Sequence, residues 1–423
     1  MIRKKVLLAA SFFLLTGALA VWASGSSEKA ASGPVTLTWW SPNFNDPNGT
    51  NLAQKYMQEN PNVKVNVQET VATGLDQKIL VALQSGSAPD VIDIQVGWTI
   101  PFAATGQLLA LDSYIAKSKI VVPSDFFPAN WNASKYDGKV YGIPYRAESH
   151  AFIYNKGMYS AAGLDPNSAP ADWNQLLAYS QKLTNTSGSK PVYGVGVVGG
   201  GEVGNMIYNM VPWIWMNGGD VLSADQKTVT INQAPAVQAV QFYTDLYTKY
   251  HVVPPSVLQN GGDQDRDLFA QKVIAQFQAG NYIIPVVQKA SPDLQMGFGT
   301  IPAPAGKKPA AVLGGWSFMI PASDAKKDAA WKFVEFLARP DNMAVYTQTF
   351  PATTTAMKNP RFSDPNNKAF IAMLPYTRLT PTVKSWPQMQ SVIQKSVQSV
   401  FLGQATAQAA MDSAASQMQG MLP

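Results

Sequence analysis

Residues 35–94 read VTLTWWSPNFNDPNGTNLAQKYMQENPNVKVNVQETVATGLDQKILVALQSGSAPDVIDI. Val35, Leu37 and Trp39 alternate with Thr36 and Thr38, the period of a strand. Residues 41–50 are a polar loop rich in Asn, Asp and Pro. Leu52, Tyr56 and Met57 then share one side of a helix that Asn60-Pro61 stops. Val63, Val65 and Val67 alternate again. Leu75, Ile79, Leu80 and Leu83 make a second helix face, ended at Gly86, and residues 89–94 form a third strand. The order β-α-β-α-β predicts a mostly parallel sheet with helices on its faces.

The pattern continues outward. Residues 136–144 read as a hairpin entering a strand, and residues 150–154 as a further strand before the Asn155-Lys156-Gly157 turn. Helical spacing recurs at residues 173–183, 236–250 and 329–337. Near the C-terminus Met389, Val392, Ile393, Val397, Val400 and Phe401 form one stripe, and an Ala-rich helix follows Gly403. No internal repeat is present. Gly194-Val195-Gly196-Val197-Val198-Gly199 matches the dinucleotide fingerprint. More glycine follows it and the chain reads as exported, so it is expected to be a loop.

Upstream, Arg3-Lys4-Lys5, an apolar run over residues 6–15 and small residues have the make-up of an export leader. Cleavage fits after Ala20 or after Ala23; polar residues 24–28 favour Ala23. Residues 1–23 are then a signal peptide and 24–34 a flexible leader. The chain has 423 residues, +5 net charge and pI about 9.0. Without residues 1–23 it keeps 29 basic against 27 acidic residues, a surplus too small to suggest nucleic acid. No cysteine is present, which excludes disulfides, thiolate metal sites, a cysteine nucleophile and a lipid-bearing cysteine. With only His150 and His251, a histidine-rich zinc site is excluded too. No cofactor or metal is expected.

Several segments in order resemble the extracellular solute-binding proteins of ABC importers, in the carbohydrate-binding group that includes maltose-binding protein. They are residues 37–40, 86–91 and 102–108, Gly142-Ile143-Pro144-Tyr145-Arg146 with Tyr154-Asn155-Lys156, and then Trp215-Met216-Asn217-Gly218-Gly219, Gly314-Gly315-Trp316 and residues 330–337. The resemblance implies a type II periplasmic-binding-protein-like α/β fold, with two lobes around a ligand cleft and more than one chain crossing. By position, lobe one comprises 35–146 plus 302–346, and lobe two 147–301 plus 347–423. It further implies a monomer in the periplasm that closes on a mono- or oligosaccharide and delivers it to an inner-membrane ABC permease, without catalysis.

A sugar offers apolar C–H faces and a ring of hydroxyls, which call for aromatic plates with planar amides, carboxylates and guanidinium groups. Alternation places Trp39 in the core; in the fold that the resemblance implies, Trp40 and the loop residues Ser41, Asn43, Asn45 and Asp46 lie near the cleft. Asp93, Gln95 and Trp98 follow the third strand, where α/β sheets build sites; on alternation alone Asp93 points to solvent. Arg146 and Glu148 flank the first crossing, as a ligand pair or as an interlobe salt bridge. Tyr208, Trp215 and Asn217 cluster with Trp213 and Asp220 around Gly218-Gly219. Tyr282 follows Gly280-Asn281, where the family commonly has a stacking aromatic. Gly315 permits close backbone approach beside Trp316, and Arg378 and Trp386 lie in a late Pro-punctuated stretch.

Two other functions compete. An exported glycoside hydrolase or lyase needs two carboxylates astride the scissile bond, for which Asp90, Asp93, Glu148 and Asp220 are the candidates. The same fold also serves for a polyol phosphate, a peptide or a polyamine. A phosphate wants several cations, and only Arg146 and Arg378 offer themselves.

Overall fold

The computed structural model describes residues 34–72 and 74–422. The signal peptide and the leader residues 24–33 lie outside the described residues. The first strand, Val35–Pro42, pairs in parallel with Val63–Thr70 on one side and Val91–Gln95 on the other. Helix Asn48–Glu59 buries Leu52, Ala53 and Tyr56, and helix Leu75–Ser85 buries Leu75, Ile79, Ala82 and Leu83. That spacing puts each set on one face, against the sheet. Gly86 closes the second helix in the left-handed region, as a helix-ending glycine does.

Three later strands complete this sheet. Its order is Phe350–Pro351, Ile143–Glu148, Gly314–Met319, Val91–Gln95, Val35–Pro42, Val63–Thr70. The added strands all pair antiparallel. The parallel reading therefore holds for the first three strands only. Short helical crossovers dictate their direction, whereas strands returning from distant segments are free of that constraint.

Ile143–Glu148 belongs to this six-stranded sheet. After Ser149 alone, His150–Asn155 becomes the centre of a second sheet, flanked antiparallel by Gln276–Gly280 and Met296–Gly299. Ser149 Oγ donates to the Phe370 carbonyl at 2.7 Å, tying the passage down. The segment expected in lobe two from residue 347 first adds Phe350–Pro351 to the edge of the six-stranded sheet. Phe350 is fully buried there, 6.3 Å from the Phe362 ring, and its burial holds the chain at that edge.

The second sheet carries a core of its own. Helix Val203–Met216 is apolar nearly all round and packs with Ala234–Thr248 and Trp386–Phe401. Trp173 stacks on Phe242 at 4.6 Å and on Trp213 at 5.4 Å. The glycine fingerprint opens no helix. Val195, Val197 and Val198 are buried, and a Cβ on Gly194 would lie 2.0 Å from the Ser180 carbonyl oxygen. These glycines let backbones cross closely. Among the described residues no helix is long and apolar enough to cross a membrane.

Candidate ligand-binding site

The strand Ile143–Glu148 carries two charges at its end, where the first sheet gives way to the second. Gly314, Gly315 and Trp316 lie opposite Glu148, Ala147 and Arg146. A Cβ on Gly314 would lie 2.8 Å from Glu148 Cβ. On Gly315, at φ +135°, it would lie 2.1 Å from the Arg146 carbonyl oxygen. Only glycine fits both demands at position 315.

Arg146 is 5% exposed. Its Nε donates to Thr349 Oγ1 at 3.0 Å and its Nη2 is ion-paired with Glu148. Its guanidinium lies 4.9 Å from the Phe44 ring centre. Nη1 is buried with no hydrogen-bond partner among the described residues. Phe44 meets Trp316 edge to face at 5.1 Å. Trp316 is therefore buried beneath Phe44 rather than open as a plate. Phe44 was missed from sequence; the available signal was one aromatic inside a polar loop.

The helix Val203–Met216 and the turn after strand Gln276–Gly280 bring Tyr208 and Tyr282 to the same pair. Burial raises both phenols, and the nearby charge of Glu148 raises them further, Tyr282 to about 12. Tyr282 is nevertheless 36% exposed. Its face covers Gly280, where a Cβ would sit 2.4 Å from the ring. Gln278 Nε2 donates to the Tyr208 carbonyl at 3.3 Å and contacts His150 Nδ1 at 3.4 Å, and Gln278 Oε1 accepts from Trp213 Nε1 at 3.3 Å. Burial lowers the His150 pKa to about 4, so this imidazole is neutral near pH 7.

A second grouping forms at the end of helix Val203–Met216. The Arg378 guanidinium lies 4.7 Å over Trp215 and ion-pairs with Asp220 Oδ2 at 2.5 Å, while Trp215 Nε1 donates to Asp220 Oδ1 at 2.9 Å. Trp215, Tyr376, Lys308 and Arg378 help line a recess of about 410 Å³.

The remaining candidates stand elsewhere. Asn217 Nδ2 donates to the Pro235 carbonyl at 2.7 Å, and its two oxygens accept from Lys307, so it fixes the helix end. Trp386 is 5% exposed within the second core. Trp40 donates to Gln68 Oε1 at 2.8 Å and is covered by the Lys78 ammonium. Trp98 stacks on Phe102 at 5.8 Å. Asn43 is exposed, and half-buried Gln95 pairs in register with Trp316. Asp93 does not point to solvent. It is fully buried, bonded to Trp39 and Tyr346, because both faces of this sheet are covered. Among the described residues no group of three or more His, Asp or Glu is placed to hold a metal ion.

Known proteins resemble this chain over most of its length. A putative binding protein of Brucella abortus (strain 2308) is 26% identical over 415 residues, 97% of each chain. The sn-glycerol-3-phosphate-binding periplasmic protein UgpB of Salmonella typhimurium is 25% identical over 394 residues, 86% of each. The solute-binding protein of an ABC transporter from Thermotoga lettingae, solved with alpha-D-tagatose, superposes with a TM-score of 0.82 at 28% identity, over 92% of this chain and all of that one. That likeness makes the fold the two-lobed type II binding-protein fold. The sequence profile of the bacterial extracellular solute-binding proteins matches residues 46–344, more than two thirds of the chain, and the protein belongs to that family.

Proposed function

We propose that the protein captures a neutral carbohydrate or polyol between its lobes and hands it to an ABC permease in the inner membrane. The observation that carries this reading is the Arg146–Glu148 pair among Phe44, Tyr208 and Tyr282, with Arg146 Nη1 buried and without a hydrogen-bond partner among the described residues. Aromatic faces suit sugar C–H surfaces. A charge-balanced donor–acceptor pair suits hydroxyls, which both give and take hydrogen bonds.

In this reading the six-stranded sheet and its helices form one lobe and the second sheet with its helices the other, and Ser149 lies at a hinge. Ligand touching both lobes favours the closed state. The protein acts as a monomer in the periplasm after its leader is removed. It breaks no bond. Of the four carboxylates available for hydrolysis, Asp93 is buried, Asp90 is paired with Lys326 and Asp220 with Arg378, which leaves Glu148 without a partner for that chemistry.

The name of the UgpB relatives favours a second reading, a polyol phosphate. Against it, both candidate arginines are already paired with carboxylates. A thermal-shift screen of residues 24–423 against neutral sugars, polyols and polyol phosphates separates the two. A ligand at 100 times its Kd adds about 2.7 kcal/mol of stability. The neutral reading expects the shift from a sugar or polyol, and a shift from phosphates alone would replace it with the second.

A further inference from the structure

Asp93 is the centre of a buried polar network that ends at the candidate site. Its Oδ1 accepts from Trp39 Nε1 at 2.7 Å and its Oδ2 from Tyr346 OH at 2.5 Å. The Tyr346 phenol, and that of Tyr145 whose ring lies 4.8 Å from it, reach on to one loop. Ser41 Oγ and Tyr346 OH are 2.7 Å apart, and Asn45 Nδ2 donates to Tyr145 OH at 3.3 Å. Ser41 and Asn45 are themselves buried, and between them stands Phe44, against Trp316 and Arg146. The path from the carboxylate through Tyr346 to Ser41 is two hydrogen bonds long.

We propose that Asp93 is a positioning residue for the ligand site: through Tyr346 it fixes Ser41 at the head of the loop 41–45 and so sets where Phe44 lies against Arg146 and Trp316. The assignment rests on the reading above that Phe44 and Arg146 belong to the site.

The chemistry follows from donor counts. An ionised carboxylate accepts from Trp39 and Tyr346 at once. A protonated one must place its own proton, and the phenol that had donated to it must turn its proton elsewhere. That rearrangement runs along the path to Ser41. Burial raises the Asp93 carboxyl to about 7, so the change falls in an accessible pH range. The titratable groups facing it are Tyr145 and Tyr346, both pushed well up by burial and neutral throughout, and the Arg146 charge reaches Tyr145. The other elements packed here present Trp39, Phe318 and Phe333, which do not titrate.

The test is ¹⁹F NMR of the ligand-free protein with Phe44 replaced by 4-fluorophenylalanine, between about pH 5.5 and 8.5. The resonance is expected to move along a single titration curve, and Asp93→Asn to leave it flat. Tyr346→Phe keeps the carboxylate and cuts the path to Ser41; it is expected to shrink the excursion at least about twofold. This second variant carries the test if Asp93→Asn does not fold. A resonance that ignores pH, or a titration that survives Asp93→Asn or is undiminished by Tyr346→Phe, overturns the assignment. No sugar is present in this experiment. Failure of every sugar to bind would remove the proposed function and is read separately.

Discussion

Gly315 presses its Cα against the carbonyl oxygen of Arg146: a Cβ there would come within 2.1 Å of it, at a φ of +135° that side chains rarely adopt. The most deeply buried charge of the candidate site is thus seated against a backbone that tolerates no side chain.

Gly315→Ala is therefore expected to cost about 3 kcal/mol or more, combining backbone strain with a clash in a packed strand. Gly403 is the control. It too has a positive φ, of 67°, but a Cβ there meets nothing within 4 Å. Gly403→Ala should cost only about 1 kcal/mol. Urea unfolding of both variants measures the difference; equal losses would show that Gly315 is not held as described.

Tyr282 and Trp316 are both site aromatics, yet their substitutions should differ. Tyr282 is partly exposed, so Tyr282→Ala should weaken ligand binding by about 1–3 kcal/mol while leaving the melting temperature nearly unchanged. Trp316 is buried under Phe44, so Trp316→Ala should cost about 3–5 kcal/mol of folding stability besides affinity. Calorimetric titration paired with thermal melts decides. Trp316→Ala with unchanged stability would contradict its burial.

Arg146 and Glu148 form a pair with one partner 5% exposed. Arg146→Met leaves the Glu148 carboxylate without its counter-charge and should destabilise the protein by about 3 kcal/mol. The double variant Arg146→Met with Glu148→Gln should recover part of that loss. A double variant no more stable than the single one would show that Glu148 does not need Arg146.

Two buried groups should shape stability against pH in opposite senses. Asp265 is raised to about 7 by burial, against an unperturbed 3.8, so the folded state holds its proton more tightly than the unfolded chain. Its contribution is fully present below about pH 4 and is lost as pH rises through about 7, at about 1.4 kcal/mol per unit. Asp265→Asn should thus gain on the unchanged protein as pH rises. His150 is lowered to about 4 from 6.5, so its contribution is present above 6.5 and is lost as pH falls through about 4. His150→Gln should flatten that acid limb. Denaturant unfolding across the range reads both, and parallel curves for variant and unchanged protein would refute either assignment.

Much of the fold was legible because each early element announces its own period. Val63, Val65 and Val67 alternate, and Leu52 with Tyr56 keeps helical spacing. Trp39 was placed in the core by the same alternation, and it is fully buried. Asp93 was misjudged by that rule, since alternation chooses a face but does not say whether the face is wet. Here Phe318 and Tyr346 lie on the side that Asp93 faces. Trp316 looked like an open plate after two glycines. It is a strand residue whose cover, Phe44, comes from a loop 272 positions away, and no local pattern reports such a partner. Trp386 opens an amphipathic helix and belongs to its buried stripe, as its neighbour Met389 already did in the sequence reading.

The most direct measurement is isothermal titration of residues 24–423 with neutral sugars and polyols and, separately, with sn-glycerol 3-phosphate, the bound compound then being recovered for analysis. Saturable binding of a neutral sugar or polyol, recovered intact, is expected, with affinity reduced at least about fivefold by Tyr282→Ala. Binding of the phosphate alone, recovery of a cleaved sugar, or an affinity indifferent to Tyr282→Ala would contradict the proposed function.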